Sequence, residues 1–161
     1  LLPLMPDNPF TTTLETVFHK LFDHPVVLEQ MLLKTGMVLP GSESAVQVDP
    51  TAIAIATLRS LRRAVPAAVP GIVFLSGGQS DTDATARLNA IAQTRDTPWR
   101  LSFSFGGALQ APALEIWRGQ PPNVPAAQAP LRHRARCNAA AVLGQYSEKL
   151  EAEHAREASI S

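Results

Sequence analysis

One lysine and two glycine pairs are the places where this chain could do chemistry. Lys34 closes a short apolar run, Leu28-Glu29-Gln30-Met31-Leu32-Leu33-Lys34, and Thr35-Gly36 ends it. Met31, Leu32 and Leu33 lack helical spacing and read as a strand buried on both faces, the pattern of a parallel sheet. A lysine at the C-terminal end of such a strand has its stem in the core and its amine at the sheet's edge. Lost hydration there favours the neutral amine, which can attack a ketone carbonyl and form a Schiff base. A snorkelling lysine explains the stretch from Leu28 to Val38 without any chemistry. Two further apolar runs end in Ser76-Gly77-Gly78 and in Gly106-Gly107, each just before a helical pattern. Backbone amides exposed by a glycine pair at a helix start can hold a phosphate, and the helix dipole adds to their pull. An ordinary tight turn is the competing reading.

These residues need a scaffold, and the patterning supplies one. Three strand-then-helix units in a row predict a parallel sheet with helices outside, an α/β fold whose reactive edge lies where its strands end. Residues 1–10 carry three prolines and read as a strand remnant and loop. Thr12 with Glu15 spells a capping box. Leu14, Val17, Phe18, Leu21 and Phe22 follow at helical spacing, and Pro25 stops that helix. After the lysine strand comes a long loop, Thr35 to Pro50. Asp49 and Pro50 then open a helix to about Ala64, with Ile53, Thr57, Leu58 and Leu61 on its apolar face. Arg59, Arg62 and Arg63 on that helix read as a solvated face. A stiff connector, Val65 to Pro70, leads into the second strand. Ser80 with Asp83 begins the next helix, which carries Leu88 and Ile91. In the third strand Leu101, Phe103 and Phe105 share one side, Ser102 and Ser104 the other. A helix from Ala108 to Trp117 follows, with Pro112 near its first turn. Asn123 opens a last long helix with Leu131, Ala135, Ala139 and Val142 as its apolar residues and a kink at Pro130. Residues 147–161 read as a polar, frayed tail.

Composition narrows the class. With 161 residues, 45% hydrophobic and 17% charged, the chain is globular rather than disordered. Fourteen basic and fourteen acidic side chains cancel, so no global field draws it to nucleic acid or membrane. A single cysteine, Cys137, excludes an internal disulfide framework and fits a reducing cytoplasm. No apolar run approaches the ~20 residues of a membrane span. His19 and His24 lack partners at ligand spacing and read as structural or solvent-facing. The chain does not begin with methionine and is expected to be a fragment of a longer one.

The motifs resemble those of two families. Leu75-Ser76-Gly77-Gly78-Gln79 spells the signature motif of ABC-transporter ATPases, but the phosphate-binding loop that fold needs is absent from the sequence. The whole set resembles class I fructose-bisphosphate aldolase. Leu28 to Lys34 with Met37-Val38 and Pro40-Gly41 is similar to that family's Schiff-base segment. Ala64 through Gly78 is similar to its next strand, and Pro98 through Gln110 to its last. The similarity runs from about Leu14 to Tyr146, in wording closest to bacterial and plastid members.

The resemblance implies that residues 1–161 are one partial barrel domain: the C-terminal portion of a (β/α)8 barrel, with about three βα units plus C-terminal helices. It implies fructose 1,6-bisphosphate cleavage to dihydroxyacetone phosphate and glyceraldehyde 3-phosphate, with Lys34 catalytic. Ser76, Gly77, Gly78, Ser104, Gly106 and Gly107 would bind substrate. No cofactor and no metal is implied. The partners would be a sugar phosphate and, at full length, further copies of the chain, in the cytoplasm or a plastid. Two positions depart from the family. Gly107 stands where the family has a phosphate-gripping arginine, and Leu2-Pro3-Leu4 stands where it has Glu-Pro-Glu with an acid/base glutamate. The chain alone is therefore expected not to turn over. The alternative is a non-catalytic relic, a phosphate-binding or structural βα module.

Overall fold

The computed structural model describes residues 8–41, 47–94 and 96–158, the side chains of 154–158 excepted. Leu2-Pro3-Leu4 and part of the loop after the lysine strand lie outside the described residues. Three strands form one parallel sheet in the order β1-β2-β3: β1 is Leu32–Thr35, β2 Gly71–Phe74 and β3 Arg100–Phe103. The helices are α1 Pro9–Phe22, α2 Pro50–Ala64, α3 Asp81–Gln93, α4 Gly107–Trp117, α5 Val124–Val142 and α6 Glu148–Ala158. This is the predicted βαβαβα alternation.

Local chemistry sets the helix starts. Asn8 caps α1 by accepting from the Phe10 N–H at 2.9 Å, and Pro9 takes the first turn. The helix thus begins earlier than the Thr12–Glu15 capping box predicted. Its predicted stripe is only half right. Leu14 and Phe18 are buried, whereas Val17 and Phe22 are exposed. Asp49 caps α2 through the Thr51 N–H at 3.1 Å, and Ser80 caps α3 through the Asp83 N–H at 3.1 Å, both as read from sequence. On α2, Ile53, Thr57, Leu58 and Leu61 are buried together. Thr57 earns its place on that face because its Oγ1 accepts the Val38 N–H at 3.0 Å and fixes the loop after β1. Thr11 donates to Ser60 at 2.8 Å and ties α1 to α2. The connector before β2 is docked by Trp99, whose Nε1 donates to the Pro66 carbonyl at 3.0 Å. Pro112 falls in the second turn of α4, deeper than expected.

The last helices depart most from expectation. Leu131 and Ala135 on α5 are exposed, and its buried face carries Ala127, Pro130, Arg134, Cys137, Asn138 and Ala141. An apolar count mistakes the phase because the inward residues include an arginine, an asparagine and a cysteine. They meet polar partners on α3. Arg134 lies 3.4 Å from Asp81, Asn138 bonds Thr85 at 2.7 Å, and the Gly144 carbonyl accepts from Gln93 at 3.2 Å. Those contacts advance together, so α3 and α5 run parallel. The segment expected as a frayed tail at 147–161 forms α6 over its described part. Arg134 donates to both oxygens of Glu151, at 2.6 and 2.7 Å, and the Tyr146 hydroxyl adds a third bond at 2.7 Å. Burial raises the Glu151 carboxyl, but those bonds and the charge of Arg134 outweigh it and hold the group below the usual carboxylate range.

Thr85 and Asn138 are fully buried, with Thr85 also 2.7 Å from the Asp81 carbonyl. One hydroxyl hydrogen cannot serve both acceptors. Thr85 can donate to the Asp81 carbonyl and accept from the Asn138 amide once that amide is turned, an orientation that gives the buried Asn138 nitrogen a partner. Thr85→Val should therefore leave Asn138 unpaired and cost roughly 1–3 kcal/mol. Urea denaturation measures it. An unchanged midpoint would show that the pair contributes nothing.

Candidate functional site

The strand register decides where Lys34 points. Lys34 pairs with Val73 and Val73 with Ser102, so these three lie in one row across the sheet and share a face. Leu33, Thr35, Ile72 and Phe74 point the other way and are buried under the helices. Lys34 itself is exposed, and Leu32 on the same side is 64% exposed. The strand expected to be buried on both faces is buried on one. In these residues the lysine stem is not in a core, and the expected loss of hydration is absent. What the sheet does provide is direction. Lys34 stands one residue before the end of β1, on the face that the helices leave open.

The three strands end level. Leu75 N–H donates to the Thr35 carbonyl at 2.9 Å, and Ser104 N–H donates to the Phe74 carbonyl at 2.8 Å, extending the ladder one step past each strand. The two glycine loops therefore leave the same edge as Lys34. After β2 comes buried Ser76, whose carbonyl accepts from the Gln79 backbone at 3.1 Å and from its side-chain amide at 2.7 Å. Arg87 then holds Gln79 Oε1 at 2.8 Å. Inside this frame Gly77 and Gly78 both have positive φ, 56° and 77°. Glycine takes this left-handed conformation without the steric cost of a Cβ.

The two helix starts behind these loops differ electrically. Asp81 and Asp83 fill the first turn of α3, Ser80 caps it, and Asp81 accepts the Thr82 N–H at 2.8 Å. Its dipole is already answered, so it adds less to an anion's pull than the sequence pattern suggested. The first turn of α4 has no acidic residue, and its cap, Gly106, has no side chain to offer. The amides at Gly106 and Gly107 are the better anion donors of the two sets. Ser104 is partly exposed on the Lys34 side of the alternation. His19 and His24 are exposed, as are Arg59, Arg62 and Arg63.

The family model for fructose-bisphosphate aldolase class-I matches residues 9–161. The chain belongs to that family. It is 54% identical over 132 residues to fructose-bisphosphate aldolase 2 of Caenorhabditis elegans, covering 81% of this chain and 36% of the relative. A Pisum sativum relative, fructose-bisphosphate aldolase, cytoplasmic isozyme 2, is 53% identical and covers 83% and 37%. The chloroplastic fructose-bisphosphate aldolase 2 of Arabidopsis thaliana is 49% identical, covering 88% and 35%. Nematode, cytoplasmic and chloroplastic relatives thus lie close together, and identity does not single out a bacterial or plastid kinship. In structure, the chain is similar to fructose-bisphosphate aldolase from Plasmodium falciparum, solved with TRAP and a small-molecule inhibitor, with a TM-score of 0.83 and 42% identity over 86% of this chain and 40% of that one. The three βα units are therefore part of an aldolase (β/α)8 barrel, and the chain spans little more than a third of the relatives' length.

Within this aldolase segment the two glycine pairs should respond differently to a methyl group. A side chain at a left-handed position costs roughly 1–2 kcal/mol. Gly78 has open space around it, so Gly78→Ala should show that backbone cost alone, and Gly77→Ala at least as much, since its new Cβ would meet Leu75 at 3.3 Å. Gly107 is helical with nothing nearby, and Gly107→Ala should stabilise by up to ~1 kcal/mol. Denaturation midpoints of the three variants test the assignment. Equal effects would contradict it.

Proposed function

We propose that the protein carrying this chain is a Schiff-base fructose-bisphosphate aldolase. The observation that supports it most is the placement of Lys34, on the open sheet face and level with both glycine loops. In a closed barrel that face becomes the interior, and the lysine would lose the water that surrounds it here. Its neutral amine would add to the keto carbon of fructose 1,6-bisphosphate and expel water, leaving a protonated imine. A base takes the C4 hydroxyl proton, the C3–C4 bond breaks, and its electrons enter the imine to give an enamine. Glyceraldehyde 3-phosphate leaves. The enamine is then protonated at C3 and hydrolysed to dihydroxyacetone phosphate, which frees Lys34.

In this reading Ser76, Gly77 and Gly78 with Ser104, Gly106 and Gly107 hold a substrate phosphate through backbone amides and two hydroxyls. Phosphate sites of such barrels cluster after the last two strands, which fits this chain as the C-terminal portion. Neither cofactor nor metal enters the step. The acid/base and the remaining strands would come from the rest of the protein. A cytoplasmic location is our reading, with a plastid as the variant that the chloroplastic relative suggests. Homo-oligomerisation at full length belongs to the same proposal. No helix among the described residues is long and apolar enough to cross a membrane.

Borohydride reduction with dihydroxyacetone phosphate, followed by peptide mapping of the full-length protein, tests the lysine. We expect the label on the Lys34 peptide alone, and label on another lysine, or none, overturns the assignment. The phosphate site has its own test. Gly107→Arg should tighten binding of a sugar bisphosphate by roughly 1.5–3 kcal/mol, about ten- to a hundredfold in Kd. An unchanged constant counts against a phosphate at α4. The 161-residue chain by itself should show no cleavage in a coupled assay, because three strands cannot close a barrel.

A further inference from the structure

A second cluster of chemically able side chains lies away from Lys34, between α5 and α6. His133 Nε2 is 3.5 Å from Cys137 Sγ and 3.6 Å from Glu151 Oε1, and the three ligand atoms all fall within 4.8 Å of one another. His133 and Cys137 are one helical turn apart, so α5 presents both on one face. Cys137 is fully buried, while the side chains of His133 and Glu151 are 9% and 26% exposed. The cluster is thus closed on the thiol side and open on the carboxylate side.

Its dimensions match a particular ion. With Zn–S of about 2.3 Å and Zn–N of about 2.0–2.1 Å at a tetrahedral angle, sulfur and nitrogen stand about 3.5 Å apart. The corresponding nitrogen–oxygen edge is about 3.4 Å. The observed spacings of 3.5 and 3.6 Å match those two edges, while the sulfur–oxygen edge, within 4.8 Å here, would close to about 3.6 Å around the ion. We propose that His133 Nε2, Cys137 Sγ and Glu151 Oε1 bind a thiophilic divalent cation, zinc by ligand type, with solvent as the fourth ligand.

The neighbours are arranged to allow it. Glu151 Oε2 holds the Tyr146 hydroxyl and Arg134 Nη2, which orient the carboxylate from behind. Oε1 accepts from Arg134 Nη1 at 2.6 Å. A cation at Oε1 would displace that nitrogen, and Asp81 Oδ2, 3.4 Å from it, stands ready to receive it. The charges also close. A thiolate, Glu151 and Asp81 sum to minus three, Arg134 contributes plus one, and a divalent ion neutralises the remainder. Without metal, burial pushes the Cys137 thiol up to about 11, so binding must release its proton to solvent.

Cobalt(II) is the probe, because it substitutes in such sites and absorbs through its thiolate bond. Titration of the purified protein should saturate at one equivalent with a near-ultraviolet thiolate-to-cobalt band, bleached by one equivalent of zinc. Cys137 is the sole cysteine of this sequence. Cys137→Ser should abolish the band, and His133→Gln should weaken cobalt binding at least tenfold, with both far-ultraviolet spectra unchanged. No band in the folded wild type, or a band that survives Cys137→Ser, overturns the site. Should a variant not fold, thermal unfolding decides: zinc at micromolar excess raises the wild-type midpoint more than magnesium does, and equal shifts for the two ions overturn the proposal. Aldol cleavage is not part of either readout.

Discussion

Everything in this segment rests on parallel pairing in register. Each strand has only four residues, and the ladder runs Lys34 to Val73 to Ser102 without offset. Level strand ends put Lys34 and two sets of glycine-loop amides on one edge, although up to dozens of residues separate them in sequence. Parallel strands need crossovers, and the helices that make those crossovers supply the core. Ile53, Leu58, Leu61, Ile72, Phe74, Leu88 and Ile91 are all buried by that one arrangement. Lys34 and the buried core therefore occupy opposite faces of the same four-residue strands.

The polar network between α3, α5 and α6 plays a different part. A bidentate arginine–carboxylate pair that excludes much of the solvent is strongly directional, and its partners must be set before it can form. Arg134 touches Asp81 in the first turn of α3 and Glu151 on α6, so the last helix is fastened to the helix that follows the Ser76 loop. Burial costs this arginine hydration, yet the carboxylate beside it raises its affinity for its proton. The pair orients α6 more than it stabilises the whole, since desolvation offsets much of the attraction.

What could be read from the sequence followed the strength of its local signals. Asp49–Pro50 and Ser80 with Asp83 are unambiguous caps, and both helices start where those residues say. The strand-glycine units located the sheet and its edge, whereas roles for Lys34 and the loops were suggested by family resemblance and not by any local signal. Three things were hidden. The phase of α5 was lost because its inward face is polar. The α6 helix was lost because Glu151 looks like any surface glutamate until Arg134 is seen opposite it. The exposure of Lys34 was lost because period-two burial in β1 shows only when one face of the sheet is left open, and an apolar run cannot report which neighbours are present.

Short strands also govern how such a sequence can change its length. The connectors between the strands are long, so residues can be gained or lost there while the strand ladder keeps its register. Inside β1 there is no such slack. Removing Leu33 would turn Lys34 from the open face toward the buried one and would bring Thr35 out in its place. Length variation among natural versions of this segment should therefore gather in the connectors and be absent from the strands, a record of the pleat kept in the lineage rather than in any one molecule.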